Sequence, residues 1–281
     1  MGMTGTGKSS FIKLLTGDKS VKVGETLEPE TSEIKSFPFS HNNQCVSLVD
    51  TPGFDDSRPN MSDSNFLEDI AHFLERRHHT KAVHGFIYFH RIRDVRVGGT
   101  ATRNIRMFAS LCGPEAMKNV AIVTTRWDEL QGDEQLQAAR KTETELLGRH
   151  FKDFTDGQAQ VHRHYNTLES AQAVMSSLLY CPPISKIRVV TEMLSGKTLP
   201  QTGAGLELKE QLVQLVSHYE EELKRLSIEF RAAIKFNQEA HEEEVAKLQR
   251  ELEKVKKDHE TLQLSAKVKR GKFRRFWSRE K

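Results

Sequence analysis

Apolar and polar positions alternate between two periods along this chain. Short apolar runs bounded by turn residues at 33–39, 44–49, 82–89, 119–123 and 160–165 predict five strands. His41-Asn42-Asn43 joins the first two as a hairpin at a sheet edge. Between the later runs the spacing becomes helical: Phe66, Leu67, Ile70, Phe73 and Leu74 share one face of a helix over 66–76, and further helices are predicted over 8–16, 102–111, 132–150 and 168–179. Strands alternating with helices imply an α/β fold, a parallel sheet covered on both faces.

From Leu206 the composition turns to Glu, Lys, Leu and Gln, with no proline to the end. Leu212, Val216, Tyr219, Leu223, Leu226, Phe230 and Ala233 alternate four-three, and Val245, Leu248, Leu252, Val255, His259 and Leu262 resume the pattern after a break over 237–244. This is a helical extension with a coiled-coil seam, which either pairs with a second copy or folds back on the preceding domain. The expected organisation is one α/β domain over 1–190, a linker over 191–205, a helical extension over 206–270 and a basic aromatic tail over 271–281. Ser195-Gly196-Lys197-Thr198 imitates a phosphate loop, but position 191 would have to be glycine and is Thr191.

The net charge of +3 hides an asymmetry: 267–281 holds eight Lys/Arg and one Glu, a local charge of +7 that leaves −4 for 1–266. That tail interleaves cations with Phe273, Phe276 and Trp277, so an unstructured end, contact with an anionic membrane surface and attraction of RNA all stay open, with nucleic acid the least expected partner. Three well-separated cysteines, Cys45, Cys112 and Cys181, suggest reduced thiols inside a cell. No window is long and apolar enough for a spanning helix, so a cytoplasmic protein, at most peripherally attached to membrane, is expected.

The chemistry is concentrated at strand ends. Gly2-Met3-Thr4-Gly5-Thr6-Gly7-Lys8-Ser9 fits G-x-x-x-x-G-K-[ST], and Ser10-Phe11-Ile12 begins the helix such a loop opens. Glycines let successive N–H groups turn inward, so Gly2, Thr4, Gly5, Thr6, Gly7 and Ser10 frame a phosphate cradle, Lys8 serves the β- and γ-phosphates, and the Ser9 hydroxyl serves Mg²⁺. Asp50-Thr51-Pro52-Gly53 ends the second strand, where Asp50 can hold Mg²⁺ through water and Gly53 can offer its N–H to the γ-phosphate. Thr31 is the candidate hydroxyl that closes on the metal, with Thr26 and Ser32 competing for the role. Phe54 stands where many small GTPases place a water-orienting glutamine.

The fourth strand delivers Thr124-Thr125-Arg126-Trp127-Asp128. Guanine presents two donors, N1–H and its amino group, and one carboxylate accepts both, so Asp128 reads the base if the nucleotide is GTP or GDP. Arg126 can lay its stem along the purine, and Asn166 is the candidate for meeting the guanine carbonyl. His90-Arg91-Ile92 through Gly98-Gly99-Thr100 places cations at the same sheet edge, for phosphates or a facing protomer, or as a basic surface loop. A strand normally leads into a phosphate loop, and only Met1 precedes Gly2 here. A fragment of a longer product is the expected explanation, with loss of the strand as the other.

With Gly2 to Ser9, Thr31, Asp50 to Gly53 and Thr125 to Asp128 in order, the chain resembles translation-factor-type P-loop GTPases, and within them the septin-like and immunity-associated group and the G-domain proteins abundant in fungi. The narrower resemblance rests on Thr31-Ser32-Glu33-Ile34, on Asp50 through Asp56, on the box ending Gly98-Gly99-Thr100, on Val123 to Asp128 and on Leu199-Pro200-Gln201-Thr202. It implies GTP binding with Mg²⁺, slow hydrolysis in which Lys8, Thr31 and Gly53 take part, and often a homodimer across the nucleotide face. An ATP-binding protein, or a coiled-coil scaffold with an inert domain, are the alternatives.

Overall fold

A computed structural model describes residues 1–21, 34–53, 62–78, 83–94, 97–233 and 239–277. Thr31 with its rivals Thr26 and Ser32, Phe54, and Val95 and Arg96 of the basic box lie outside these residues. Among the described residues five strands form two sheets. The hairpin of β1 (Lys35–His41) and β2 (Gln44–Asp50) is antiparallel, while β3 (Phe86–Arg91), β4 (Val120–Thr125) and β5 (Gln160–Arg163) run parallel in that order. Asn42 and Asn43 both take positive φ, 48° and 62°, which gives the hairpin the tight turn its strands' twist requires.

Alternation along β3 and β4 splits the core between two faces. Phe86, Tyr88, Val120 and Ile122 pack on one side, against α2 (Asp63–His78) and α3 (Gly99–Cys112), where Tyr88, Phe108, Phe151 and Phe154 form an aromatic cluster. Phe89, Ala121 and Val123 pack on the other, against α1 (Lys8–Thr16) and α6 (Leu168–Tyr180). The α/β layering expected from the sequence is therefore present, with α4 (Gly132–Arg149) and a short α5 (Lys152–Asp156) completing the segment before β5.

The strand expected ahead of the phosphate loop is represented by two residues. The Met1 amine donates to the Ile87 carbonyl at 2.6 Å, Phe89 N–H donates to the Met1 carbonyl at 2.9 Å, and Gly2 bridges Phe89 in parallel sense. Beyond them a groove of about 440 Å³ separates β2 from β3, lined by Val46, Leu48, Ile87, Phe89, Met175 and Leu178. The hairpin thus stands apart from the parallel sheet, and both facing edges are strand edges.

Residues 191–205, read as a linker, are packed. They include the end of α7 (Arg188–Leu194) and a 3₁₀ turn at Leu199–Gln201, and Met193, Leu199 and Ala204 are buried in the main core. The Ser195-Gly196-Lys197-Thr198 stretch is the helix stop, with Gly196 at φ 93°. The heptad positions serve a hairpin within one chain: α8 (Gly203–Ala233) and α9 (Glu239–Trp277) lie antiparallel, with Lys256 Nζ 2.8 Å from Glu220 and the Phe230 ring 6.5 Å from His241. Leu208 and Leu212 of α8 and Leu262 of α9 enter the domain core, so the extension folds back. No helix among the described residues is long and apolar enough to cross a membrane.

Candidate functional site

The loop before α1 is built on glycine geometry. Gly5 and Gly7 adopt φ of 76° and 91°, and Gly2, at 130°, would place a Cβ 2.4 Å from the Phe89 carbonyl oxygen. The loop is tied to itself by Thr6 Oγ1, which donates to the Met3 carbonyl at 2.8 Å, and Gly7 precedes the first turn of a helix whose N–H groups point into the concavity. Lys8 is buried, and its Nζ donates to the carbonyls of Gly2 at 3.0 Å and Met3 at 2.9 Å. The ammonium thus lies against the loop wall, within reach of any oxyanion the loop holds.

Two more predicted residues converge here. Ser9 Oγ donates to Asp50 Oδ2 at 2.8 Å, across 41 residues of sequence, so the end of β2 is docked on the start of α1. Gly53 follows closely, because a Cβ there would lie 2.4 Å from Thr4 Oγ1. Among the described residues no group of three His, Cys, Asp or Glu stands ready to hold a metal alone. A hydroxyl and a carboxylate paired beside an oxyanion cradle fit Mg²⁺ instead, which keeps water and takes few protein oxygens together with substrate phosphates. The buried hydroxyls of Thr4 and Thr51 have no hydrogen-bond partner among the described residues. Neither was singled out as an oxygen donor by sequence reasoning, and only the environment reveals them.

The other end of the site is joined to the first by one side chain. Thr125 Oγ1 donates to the Thr6 carbonyl at 3.0 Å, linking the end of β4 to the phosphate loop. Arg126 then turns left-handed at φ 68°, Trp127 is buried, and Asp128 is exposed in the 3₁₀ turn that follows. Arg126 pairs with Glu129, and Arg93 of the basic box lies 3.4 Å from the same carboxylate, so both guanidinium groups converge on Glu129 beside Asp128. Asn166 is exposed at φ 57°, just ahead of the Thr167 cap of α6, and its neighbour Tyr165 lies 6.3 Å from the Trp127 ring. Arg91 is held by Asp94 at 2.9 Å and passes the loop at Gly5.

His90, at the end of β3, was read only as part of a basic box. It is 4% exposed, its ring lies 6.2 Å from Phe151, its Nε2 has no partner among the described residues, and burial pushes its pKa down to about 4. A histidine at its ordinary value near 6.5 in the unfolded chain takes up a proton that the folded chain refuses. Stability is therefore expected to fall as pH drops from 6.5 towards 4, and His90→Leu should flatten that slope in thermal melts recorded across this range. An unchanged slope would contradict a neutral buried ring.

A glycine-rich loop opens α1, a carboxylate arrives from the end of β2, and the loop that ends β4 is tied to the first of these. Residues 1–95 match the family model described as 50S ribosome-binding GTPase. A stretch of 128 residues is 30% identical to GTP-binding protein A of Dictyostelium discoideum; the alignment covers 44% of this chain and 26% of that protein, so the chain matches about a quarter of its relative's length. Among solved structures, a dimerization-deficient mutant of Toc33 from Arabidopsis thaliana superposes with a TM-score of 0.51 at 17% identity, over 64% of this chain and 82% of that one. A second chain, from work stating that dimerization is important for the GTPase activity of the chloroplast translocon components atToc33 and psToc159, matches with 0.51 at 17% identity, over 63% and 80%. These likenesses concern the fold.

Proposed function

We propose that this chain binds GTP with Mg²⁺ and hydrolyses it slowly, as a nucleotide switch or an assembly-regulated GTPase. The observation that carries this reading is the Thr125 to Thr6 hydrogen bond, which fixes a carboxylate-bearing loop at a set distance from a phosphate cradle. The loop N–H groups and Lys8 bind the β- and γ-phosphates and stabilise the charge that develops as water attacks in line. Ser9 and Asp50, with Thr31, would hold Mg²⁺, which would supply positive charge to neutralise the phosphates. Gly53 donates its N–H to the γ-phosphate and relays its presence to the segment that follows. Asp128 accepts both guanine donors, Arg126 borders the ring, and Asn166 approaches the guanine carbonyl.

Affinity with the septin-like and immunity-associated group belongs to the same proposal, as do a G domain over 1–190, a cytoplasmic location and a peripheral membrane contact through the basic tail. So does a homodimer. The nucleotide face suits it better than the heptad seam, because α8 and α9 use that seam on each other and on the domain. The Toc33 neighbours, for which dimerization is stated to be important for GTPase activity, support a homodimer as such. A facing protomer can supply the water-orienting group that Phe54 does not.

Asp128→Asn is the test. Its amide offers one acceptor and one donor, which mismatches guanine and suits xanthine, with its 2-oxo group. GTP affinity should fall roughly a hundredfold, about 2.8 kcal/mol, while xanthosine triphosphate gains. Unchanged affinity for GTP and for ATP would support an adenine-indifferent site and contradict the guanine reading.

A further inference from the structure

Glu143 lies on α4, in a stretch that reads as a charged amphipathic helix. It is nevertheless 5% exposed, and both carboxylate oxygens are engaged. Oε1 accepts from Thr124 Oγ1 at 3.0 Å, while Oε2 accepts from Arg163 Nε at 2.8 Å and Nη2 at 2.5 Å. Thr124 Oγ1 in turn accepts from the Trp127 indole N–H at 2.9 Å. The Arg163 guanidinium sits 4.6 Å above the Trp127 ring, closing a circuit of four side chains from α4, β4, the 3₁₀ turn after it and β5.

A buried ion pair adds little net stability, since desolvation offsets its attraction. What it does well is fix geometry. Here it grips Trp127, which stands between Arg126 and Asp128, and it does so from both sides: the indole edge through Thr124 and the ring face through Arg163. The backbone at Arg126 is left-handed, at φ 68°, a conformation a non-glycine residue keeps only when its surroundings hold it. Arg163 also ends β5, one residue before His164, whose N–H donates to the Thr124 carbonyl at 2.8 Å. The circuit therefore couples the loop carrying Asp128 to the loop carrying Asn166.

We propose that Glu143 is the positioning residue for base selection: through Thr124, Trp127 and Arg163 it holds the Arg126–Asp128 turn in the conformation that presents the Asp128 carboxylate to guanine. This rests on the reading of Asp128 as the base-contacting residue. Glu143 touches no nucleotide itself. Its removal should degrade the choice among bases and leave phosphate binding alone.

The test uses the full chain carrying Trp277→Phe, which leaves Trp127 as the sole indole because the sequence has two tryptophans. Dissociation constants for GTP, ATP and inorganic tripolyphosphate are measured for this parent, for Glu143→Ala, for Glu143→Gln and for Arg163→Gln, with Trp127 emission recorded alongside. Glu143→Ala should lower the GTP-over-ATP preference at least tenfold, shift Trp127 emission to the red, and keep tripolyphosphate affinity within twofold. Glu143→Gln, which preserves the acceptor for Thr124, should lie between it and the parent. Arg163→Gln removes a half-exposed partner and should reproduce the selectivity loss even if the buried substitution impairs folding. Equal losses for GTP, ATP and tripolyphosphate in every variant would overturn the proposal, as would retained selectivity. If the parent itself shows no preference for GTP, the guanine reading falls, and the positioning role falls with it.

Discussion

Replacing Lys8 with alanine is expected to weaken GTP binding about a hundredfold or more and to abolish measurable hydrolysis. Two decades correspond to about 2.8 kcal/mol. The expectation follows from where the ammonium sits: buried, its Nζ held by the Gly2 and Met3 carbonyls at the wall of the loop. Carbonyl oxygens are modest partners for a cation, and phosphate oxygens are stronger ones, so nucleotide entry improves the lysine's situation as well as its own. Alanine leaves the concavity with helix and backbone dipoles only. The described contacts that are lost are to the Gly2 and Met3 carbonyls, each worth roughly 1.5–3 kcal/mol for a charged donor, which a domain of ordinary stability can lose and still fold. Isothermal titration at fixed Mg²⁺ with a thermal melt alongside separates the effects: a cooperative melt with GTP affinity lost is the expected pair. An unaltered dissociation constant would remove Lys8 from the site.

The second large effect is expected from the groove between β2 and β3. Joining five apolar strand formers, Val-Ile-Val-Leu-Val, to Met1 should stabilise the domain by about 3 kcal/mol, or roughly 6–12 °C in melting temperature. Apolar walls on both sides would bury the added side chains, and two facing strand edges would pair the added backbone. Against this stands the ordering of the five residues, about 1–2 kcal/mol each for the backbone. The register is already set, because Met1 bonds to Ile87 and Phe89 as a parallel strand residue does. The extension also turns an ammonium into an amide. Burial, reinforced by Lys8, pushes the Met1 amine down to about 5 from its ordinary 8.0. The unfolded chain therefore binds a proton that the folded chain refuses, and stability falls as pH drops from 8 towards 5. The extended chain should lose that part of its pH dependence. A polar extension of equal length, Ser-Asn-Ser-Gly-Ser, should reproduce the pH change without the stabilisation. Equal melting temperatures for both extensions would contradict this account of the groove.

How much of this could be read from residues alone differs from element to element. The layering was legible because β3 and β4 are apolar on both faces and the helices between strands keep a clear stripe. The phosphate loop was legible because its glycines adopt φ values that other residues avoid, and Asp50 because a strand carries it to a predictable edge. The packed corner over 191–205 was not, since its signals are those of a linker: three glycines, a proline and small polar residues. What makes it core is the burial of Met193, Leu199 and Ala204 against elements distant in sequence. The seam of the C-terminal helices was visible, but its partner was not, because heptad spacing is the same whether the facing helix belongs to another copy or to the same chain. The circuit around Glu143 was invisible for a related reason. Glutamate on a charged helix is ordinary, and only the fold brings Arg163 and Thr124 to it.

The central claim is a guanine-selective, Mg²⁺-dependent site assembled from the phosphate loop and the Asp128 turn. A titration of the chain with fluorescent GTP, with unlabelled GTP and ATP as competitors and with Mg²⁺ either present or chelated, tests it most directly. The account predicts saturable binding that GTP displaces, that ATP does not displace, and that weakens when the metal is removed. Displacement by ATP as readily as by GTP, or the absence of saturable binding in both the chain and its apolar extension, would contradict it.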